Sequence, residues 1–198
     1  MKLHTYFIIV LSVFCTYARA QTDVLVDSRD GKNYKTIQIG SKIWMAENLD
    51  FRPYLMLLSN WADTSKPTDI FCYNDDTSNC KKYGALYRHN ALKNACPVGW
   101  HLPTEEDFKM LLNTYSDDKK KAYLSLISGG SSGFNLPLNG WYTHRGYYIG
   151  INKAGGLWSS TEKGKYYIKV FVVNKYSSKA FITSNIHDDA ISVRCVKD

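Results

Sequence analysis

Cysteine and histidine are the residue types in this chain that most often act as nucleophiles, bases or metal ligands in proteins. The segment NACPVGWHLPTEEDF, residues 94–108, places Cys96 five residues before His101, and SVRCVKD at the end of the chain supplies Cys195. A cysteine near a histidine predicts a nucleophile only if the sulfur is free, because the thiolate is the attacking species. The bonding state of Cys96 therefore decides between a reactive and a structural interpretation.

The first 20 residues have the pattern of a signal peptide. Lys2 provides the positive charge, residues 6–14 are apolar, and ARA precedes Gln21. An apolar run of about nine residues is well short of the roughly twenty needed to span a bilayer. We predict a signal peptide over 1–20, followed by a single domain over 21–198 with no transmembrane segment. The predicted location is the extracellular space, the cell surface or the periplasm.

The charge pattern predicts no nucleic-acid partner. The formal net charge is +7, and it falls to +5 without Lys2 and Arg19. The densest basic run, DDKKKAY at 117–123, mixes three lysines with two aspartates and is typical of a solvated helix face. Nothing in the sequence predicts an oligomeric state.

The four cysteines after the leader favour disulfides over a zinc site or a thiol nucleophile, because their number is even and the chain is predicted to be exported. Three pairings are possible in principle. Cys72 and Cys80 flank the polar, turn-forming YNDDTSN, so we pair them with each other. Cys96 then pairs with Cys195. In the chain-entropy model, closing this loop lowers the entropy of the denatured state and so stabilises the fold by about 4.7 kcal/mol.

Most of the secondary-structure elements predicted to position these residues are short strands. Ile37 and Ile39, then Ile43 and Met45, alternate around a turn at Gly40, which predicts a hairpin. Residues 50–72 show no clear periodicity and are predicted to be irregular. Residues 83–94 are predicted as a short helix. Six strands are predicted after Phe134, within FNLPLNGWYT, GYYIGI, GLWSST, YYIKVFVVN, SKAFITS and AISVRCV.

The clearest predicted helix begins after Pro103. Thr104 can serve as the N-cap, and the next three residues are acidic, which suits the positive end of a helix dipole. Phe108, Leu111 and Tyr115 then fall on one face. A weaker helix is predicted over residues 118–127, before SGGSSG. Strands, central helices and strands again predict an α+β domain of antiparallel sheets whose two chain ends meet in one sheet.

Six phrases in this order carry a resemblance to a known family: KIWMAENL, CYNDDTSNCKKYGALY, ACPVGWHLPTEEDF, LPLNGWY, LWSSTE and SVRCVKD. They resemble the Fibrobacter succinogenes major paralogous domain family of secreted and surface proteins, over about residues 26–198. That family is similar to C-type lectin-like domains, in which a helix cysteine bonds to one in the last strand. The resemblance implies a C-type lectin-like fold, a location outside the cytoplasm and the Cys96–Cys195 bond, without implying a reaction.

No catalytic motif stands out in the sequence. His89, His101, His144 and His187 lack the spacing of metal ligands. Ser159 and Ser160 lie near Glu162 but lack the glycine-flanked turn that exposes a nucleophilic serine. We therefore predict that the protein is not an enzyme. The alternatives are a carbohydrate-active or other extracellular enzyme and a purely structural surface component.

Binding is the function class that the sequence favours. GWYTHRGYY predicts a turn that presents aromatic and polar side chains, suited to stacking on a sugar or anchoring a surface protein. The candidate ligand-binding residues are Trp141, Tyr142, His144, Arg145, Tyr147 and Tyr148. For Trp100, Trp141 and Trp158, which lie beside glycines in apolar phrases, packing in the core is favoured over ligand contact.

No cofactor or metal is predicted. Asn74, Asp75 and Asp76, or Asp188 and Asp189, offer oxygens to calcium, but two adjacent acids are too few for its six to eight ligands. The sequence also lacks the triplets with which lectins bind sugar through calcium. We predict a non-catalytic secreted or surface binding module for a glycan or a surface protein.

Overall fold

The fold comes from a computed structural model that describes residues 22–53, 69–115 and 118–198. The predicted signal peptide and most of the predicted irregular segment 50–72 lie outside the described residues and stay predictions. None of the helices in the described part is long and apolar enough to cross a membrane.

Twelve strands and three α-helices make up the described part of the chain, which is an α+β fold. The helices are α1 (Thr77–Tyr83), α2 (Glu105–Asn113) and α3 (Lys119–Leu126). The strands are β1 (Thr22–Val26), β2 (Asn33–Ile39), β3 (Lys42–Met45), β4 (Ile70–Phe71), β5 (Leu86–Tyr87), β6 (Trp100–His101), β7 (Asn139–Tyr142), β8 (Tyr148–Ile151), β9 (Ala154–Lys163), β10 (Tyr167–Asn174), β11 (Lys179–Ile186) and β12 (Val196–Lys197).

The strands form antiparallel sheets, and the largest joins the two ends of the described chain. Its order is β1-β2-β3-β12-β6, so the last strand lies between an early hairpin and the strand before α2. Val196 of β12 pairs with Trp44 on one side and with His101 on the other. The predictions that the chain ends meet and that a hairpin turns at Gly40 are both confirmed. A second sheet has the order β11-β10-β9, and β4-β5 and β7-β8 form two-stranded sheets.

The two helices predicted from capping and periodicity are confirmed. Thr104 and Asp107 form a capping box at the start of α2: each side chain accepts a hydrogen bond from the backbone N–H of the other residue. Phe108 and Leu111 point into the core from this helix. The Asp118 side chain accepts the free amides at the start of α3.

The helix predicted over residues 83–94 is wrong. The helix in this region is α1, which starts after its N-cap Asp76 and ends before Gly84. Gly84 has a φ of 80°, a left-handed backbone that ends a helix readily. Leu86 and Tyr87 follow as a strand with both side chains buried. Consecutive buried residues fit a strand between two packed layers, a pattern that is easily mistaken for one face of a helix.

The last predicted strand, AISVRCV, is regular only at its end. Residues 190–196 are all buried, but their backbone partners belong to different elements. The segment accepts backbone hydrogen bonds from the amides of Met45, Leu49 and Trp158. A segment that bonds to several elements in turn cannot keep one ladder, so only Val196–Lys197 forms a strand.

Both predicted disulfides are present. Cys72 bonds to Cys80 within the β4–α1 region, and Cys96 bonds to Cys195 across 99 positions of sequence. Cys80 and Cys195 are buried in the same apolar cluster, which also holds Trp158. A neighbouring cluster stacks Trp44, Phe108 and Phe171, with ring centroids 5.6 Å apart for the first pair and 5.0 Å for the second. Cys96–Cys195 therefore ties the segment before β6 to the segment before β12, whereas Cys72–Cys80 closes a local loop.

Candidate functional site

The hairpin of β7 and β8 carries all six side chains that the sequence predicts as ligand-binding. The two strands pair in register, and the amide of Thr143 donates to the carbonyl of Tyr147 at 2.9 Å to close the turn. Two of the predicted residues lie on β7, one on β8 and three in the turn. In that order they are Trp141, Tyr142, Tyr148, His144, Arg145 and Tyr147.

These six side chains are not equivalent in the fold. Trp141 is half-buried and packs against the apolar cluster around the disulfides, in line with the core interpretation. Its neighbour Tyr142 points to the opposite face, as alternation along a strand requires. Tyr147 is 66% exposed at the turn, and Arg145 is exposed beside it. The hairpin thus presents tyrosines and an arginine outward, while the tryptophan supports it.

A continuous series of aromatic rings crosses this part of the molecule. Phe71 stacks on Tyr142 with 4.7 Å between ring centroids, and Tyr142 lies 4.6 Å from Tyr148. The guanidinium of Arg88 lies 4.9 Å from the centroid of Phe71 and 5.6 Å from that of Tyr142. We call Phe71, Arg88, Tyr142 and Tyr148 the aromatic surface. Its members come from three separate segments of the chain.

The aromatic surface is held rigid by buried neighbours. Beneath it, Tyr73 packs against Tyr148 with 5.2 Å between ring centroids. The hydroxyl of Tyr148 donates to a carboxylate oxygen of Asp75 at 2.5 Å. Burial, together with this carboxylate, raises the pKa of Tyr148 above its usual range, so the hydroxyl stays protonated and remains a donor. Fixed rings lose little conformational entropy when they bind a ligand.

His144 is tied to the fold by a carboxylate. Its backbone amide donates to an oxygen of Asp189 at 2.7 Å, and its Nδ1 lies 2.9 Å from the same oxygen. The other oxygen of Asp189 accepts from the Asn185 side chain at 2.9 Å. Asp189 is buried, whereas His144 is exposed. This contact fixes the turn relative to the segment that follows β11.

Three of the four acidic residues named as possible calcium ligands bind other partners. Asp75 accepts from Tyr148, Asp76 caps α1, and Asp189 holds His144 and Asn185. Within the described ranges, no group of three or more histidine, cysteine, aspartate or glutamate side chains is arranged to hold a metal ion.

A stack of three rings continues from the aromatic surface. His187 lies 5.3 Å from His89 and 5.9 Å from Tyr166 by ring centroids. Arg88 links the two groups, because it precedes His89 in sequence and donates to the carbonyl of Asp188 at 3.2 Å. None of Phe71, Arg88, His89, Tyr166 and His187 was predicted as a site residue. They come from separate segments, so no local pattern in the sequence signals their proximity.

A cavity of about 490 Å³ lies beside this histidine stack and includes the two serines considered for catalysis. The hydroxyl of Ser159 is buried and accepts the amide of Thr161 at 3.0 Å. The hydroxyl of Ser160 donates to the carbonyl of Pro103 at 3.4 Å. Glu162 lies 3.8 Å from His89, measured between carboxylate oxygen and Nε2. Both serine hydroxyls therefore form hydrogen bonds with backbone groups. The cavity itself is open to a small molecule.

His101, the histidine near Cys96, has a structural setting. Its Nδ1 lies 2.6 Å from a carboxylate oxygen of Asp198, and its Nε2 lies 3.3 Å from one of Asp107. Asp107 also accepts two hydrogen bonds from Thr104. It forms an ion pair with Lys42, with 3.1 Å between Nζ and the carboxylate oxygen. His101 thus links the end of the chain to the start of α2. With Cys96 in a disulfide, the pair has no thiol for nucleophilic chemistry.

A comparison with family models decides the family. The model described as Fibrobacter succinogenes major domain matches residues 37–197. The chain belongs to this family. The match spans the strands from β3 to β12, the three helices and both disulfides of the Fibrobacter succinogenes major domain, and it confirms the resemblance seen in the six sequence phrases. Neither the curated proteins nor the solved structures contain a match to the chain.

Proposed function

We propose that this Fibrobacter succinogenes major domain is an exported, non-catalytic binding module and that the aromatic surface contacts its ligand. The observation that carries the proposal is the stacked series of Phe71, Tyr142 and Tyr148 under the Arg88 guanidinium. Partly exposed rings that are fixed from below suit stacking against the apolar face of a sugar. Polar groups at the rim, including Arg145 and His144, suit sugar hydroxyls.

Export and a C-type lectin-like fold are part of the proposal. The two disulfides support an oxidising compartment, because such bonds are rare in the cytosol. Two features support lectin-like kinship: the chain ends meet in one sheet, and a disulfide joins the segment before α2 to the end of the chain. The predicted signal peptide over residues 1–20 agrees with export.

A glycan array probed with and without calcium tests the function class. We expect a small set of glycans to be bound equally in calcium and in a chelator, since Asp75, Asp76 and Asp189 already hold protein partners. Binding that disappears in the chelator would contradict the calcium-free mechanism. If the protein bound nothing on glycan arrays or arrays of surface proteins, the binding proposal itself would fail, in favour of a structural component.

A surface protein is the second candidate ligand, at the β7–β8 hairpin. Ile149, which lies across the hairpin from Trp141, is 42% exposed, and Tyr147 lies two residues before it. Exposed apolar and aromatic side chains in one hairpin suit a protein partner. Binding on the protein array without any glycan hit would favour this candidate.

An extracellular enzyme acting on carbohydrate is the competing proposal, and the cavity beside His89 is the observation that favours it. Glu162 and Ser160 line this cavity and offer an acid and a hydroxyl to a small substrate. Incubation of the arrayed glycans with the protein, followed by mass spectrometry, distinguishes the two. Hydrolysis that is lost in Glu162→Gln would establish an enzyme, whereas unchanged glycans support a binding module.

A further inference from the structure

A second open site lies away from the aromatic surface, between β2, the segment after β3 and the end of α1. It is a groove of about 360 Å³, close to the lower end of the size range of small-molecule sites. We call it the lysine groove. Its charged lining residues are Lys32, Lys35, Glu47, Asp50, Lys81, Lys82 and Arg194.

Arg194 forms the floor of the lysine groove and is fully buried. Its Nε donates to the side chain of Asn48 at 2.7 Å, and its terminal nitrogens donate to the carbonyls of Phe134 and Asn135. The guanidinium carbon also lies 4.5 Å from the centroid of the Phe134 ring. All of these partners are uncharged. Burial lowers the pKa of Arg194 to about 9, so the side chain remains a cation at neutral pH.

No carboxylate in the described part of the chain forms an ion pair with Arg194. The carboxylate of Asp50 is already shared by Lys32 at 2.8 Å and Arg52 at 2.7 Å. Glu47 acts on Arg194 only through space, and one of its oxygens accepts the amide of Lys35 at 2.8 Å. A buried cation without a paired anion leaves a positive field in the groove above it.

Three lysines at the rim add to this field. Lys35, Lys81 and Lys82 are exposed, and the ion pairs found among the described residues include none of them. Lys82 lies over the Tyr83 ring, with its ammonium nitrogen 4.8 Å from the ring centroid. With Lys32 neutralised by Asp50, the groove holds four cationic groups against the single carboxylate of Glu47. A cleft with this balance raises the local concentration of anions.

The remaining lining groups favour one kind of anion. Asn33, Asn135 and Glu47 place amide and carboxylate groups along the groove, and these suit sugar hydroxyls. Glu47 repels a densely charged polymer such as nucleic acid, whereas a ligand with one carboxylate and several hydroxyls satisfies both the cationic and the hydrogen-bonding groups. We propose that the lysine groove binds an acidic sugar unit of the uronic acid type, with its carboxylate toward the lysines. This proposal is independent of the aromatic surface.

Calorimetric titration tests it with two probes of equal length. Glucuronosyl-xylotriose carries one carboxylate, and xylotetraose is its neutral match. We expect the acidic probe to bind at least about tenfold more tightly, and its dissociation constant to rise with salt because the attraction is electrostatic. Equal affinity for both probes, or no binding of the acidic one, would overturn the proposal. Tighter binding of a short single-stranded RNA would assign the groove to nucleic acid and overturn it as well.

A charge-removing variant locates the site. Replacing Lys35, Lys81 and Lys82 by glutamine is expected to weaken binding of the acidic probe about tenfold or more. The matched control replaces Lys119, Lys120 and Lys121, three exposed lysines at the start of α3, and should leave affinity unchanged. Thermal melting of both variants checks that each remains folded. An equal loss in both variants, or none in the first, would contradict the groove as the site. Tyr142→Ala should not affect this probe, which separates failure here from failure at the aromatic surface.

Discussion

At the residue scale, His101 shows what sequence patterns leave out. Its position five residues after a cysteine is typical of a reactive pair, yet the structure places it between the carboxylates of Asp107 and Asp198. The Asp107 role at the helix start was only partly predictable: the sequence indicates an acidic first turn, but not the contacts from Lys42 and His101. Those contacts join residues far apart in the chain, which local patterns cannot reveal.

Asp107 should make a pH-dependent contribution to stability. Burial raises the pKa of Asp107, but hydrogen bonds from Thr104 and contacts with Lys42 and His101 have the larger combined effect and lower the pKa to about 2. A carboxyl with a lowered pKa stabilises the fold fully above its unfolded value of 3.8, and this contribution is lost as the pH falls through about 2. We expect Asp107→Asn to lower the free energy of unfolding at pH 7 by roughly 2 kcal/mol.

Chemical denaturation at pH 7 and pH 2.5 measures this effect. The difference between wild type and Asp107→Asn should shrink at the lower pH, because the wild-type carboxylate is then partly protonated. Glu106→Gln is the matched control: it removes an exposed carboxylate from the same helix turn and should change stability by less than about 0.5 kcal/mol. An Asp107 effect no larger than that of Glu106 would refute the assignment.

At the element scale, the sequence predicted those elements whose signals are local. The β2–β3 hairpin follows from alternation around Gly40, and α2 follows from its cap and its apolar face. The helix predicted over residues 83–94 failed because Leu86 and Tyr87 are buried by contacts from two sides, which resembles a helical face. The last segment failed because its hydrogen bonds go to several elements rather than to one strand.

Gly84 should be the critical residue at the end of α1. It has a φ of 80°, and a Cβ built there would lie 2.5 Å from the Cβ of Asn48. Gly99 has the same φ but has nothing within 4 Å of its Cβ position. We expect Gly99→Ala to cost about 1 kcal/mol from backbone strain and Gly84→Ala to cost at least about 2 kcal/mol more from the added clash. Equal melting temperatures for the two variants would contradict this close approach.

At the scale of the whole molecule, the sequence predicted the α+β class, the disulfide pairing and the meeting of the chain ends. It predicted only the hairpin part of the aromatic surface, since Phe71 and Arg88 arrive from distant segments through the fold of β4 and β5. Arg194 lies in SVRCVKD, where the cysteine carries the only clear sequence signal. No pattern in the neighbouring residues predicts that this arginine is buried. Long-range assembly, rather than element identity, is what the sequence left open.

The two disulfides should differ in their effect on global stability. Cys96–Cys195 spans 99 positions and Cys72–Cys80 spans 8, so the chain-entropy model gives the first about 2 kcal/mol more stabilisation. We expect the paired substitution of Cys96 and Cys195 by alanine to lower the melting temperature more than the same change at Cys72 and Cys80. Calorimetry of both double variants measures this, and the reverse order would contradict the entropic account.

The most direct test of the central claim is a solution titration of a glycan found on the array against three proteins. Arg88→Ala/Tyr142→Ala removes two partly exposed side chains of the aromatic surface. Tyr176→Ala removes a tyrosine that is 76% exposed in the turn between β10 and β11. The account predicts that the double variant binds about tenfold more weakly than wild type, while Tyr176→Ala binds as wild type does. Unchanged affinity in the double variant, or an equal loss in both, would show that the aromatic surface is not the binding site.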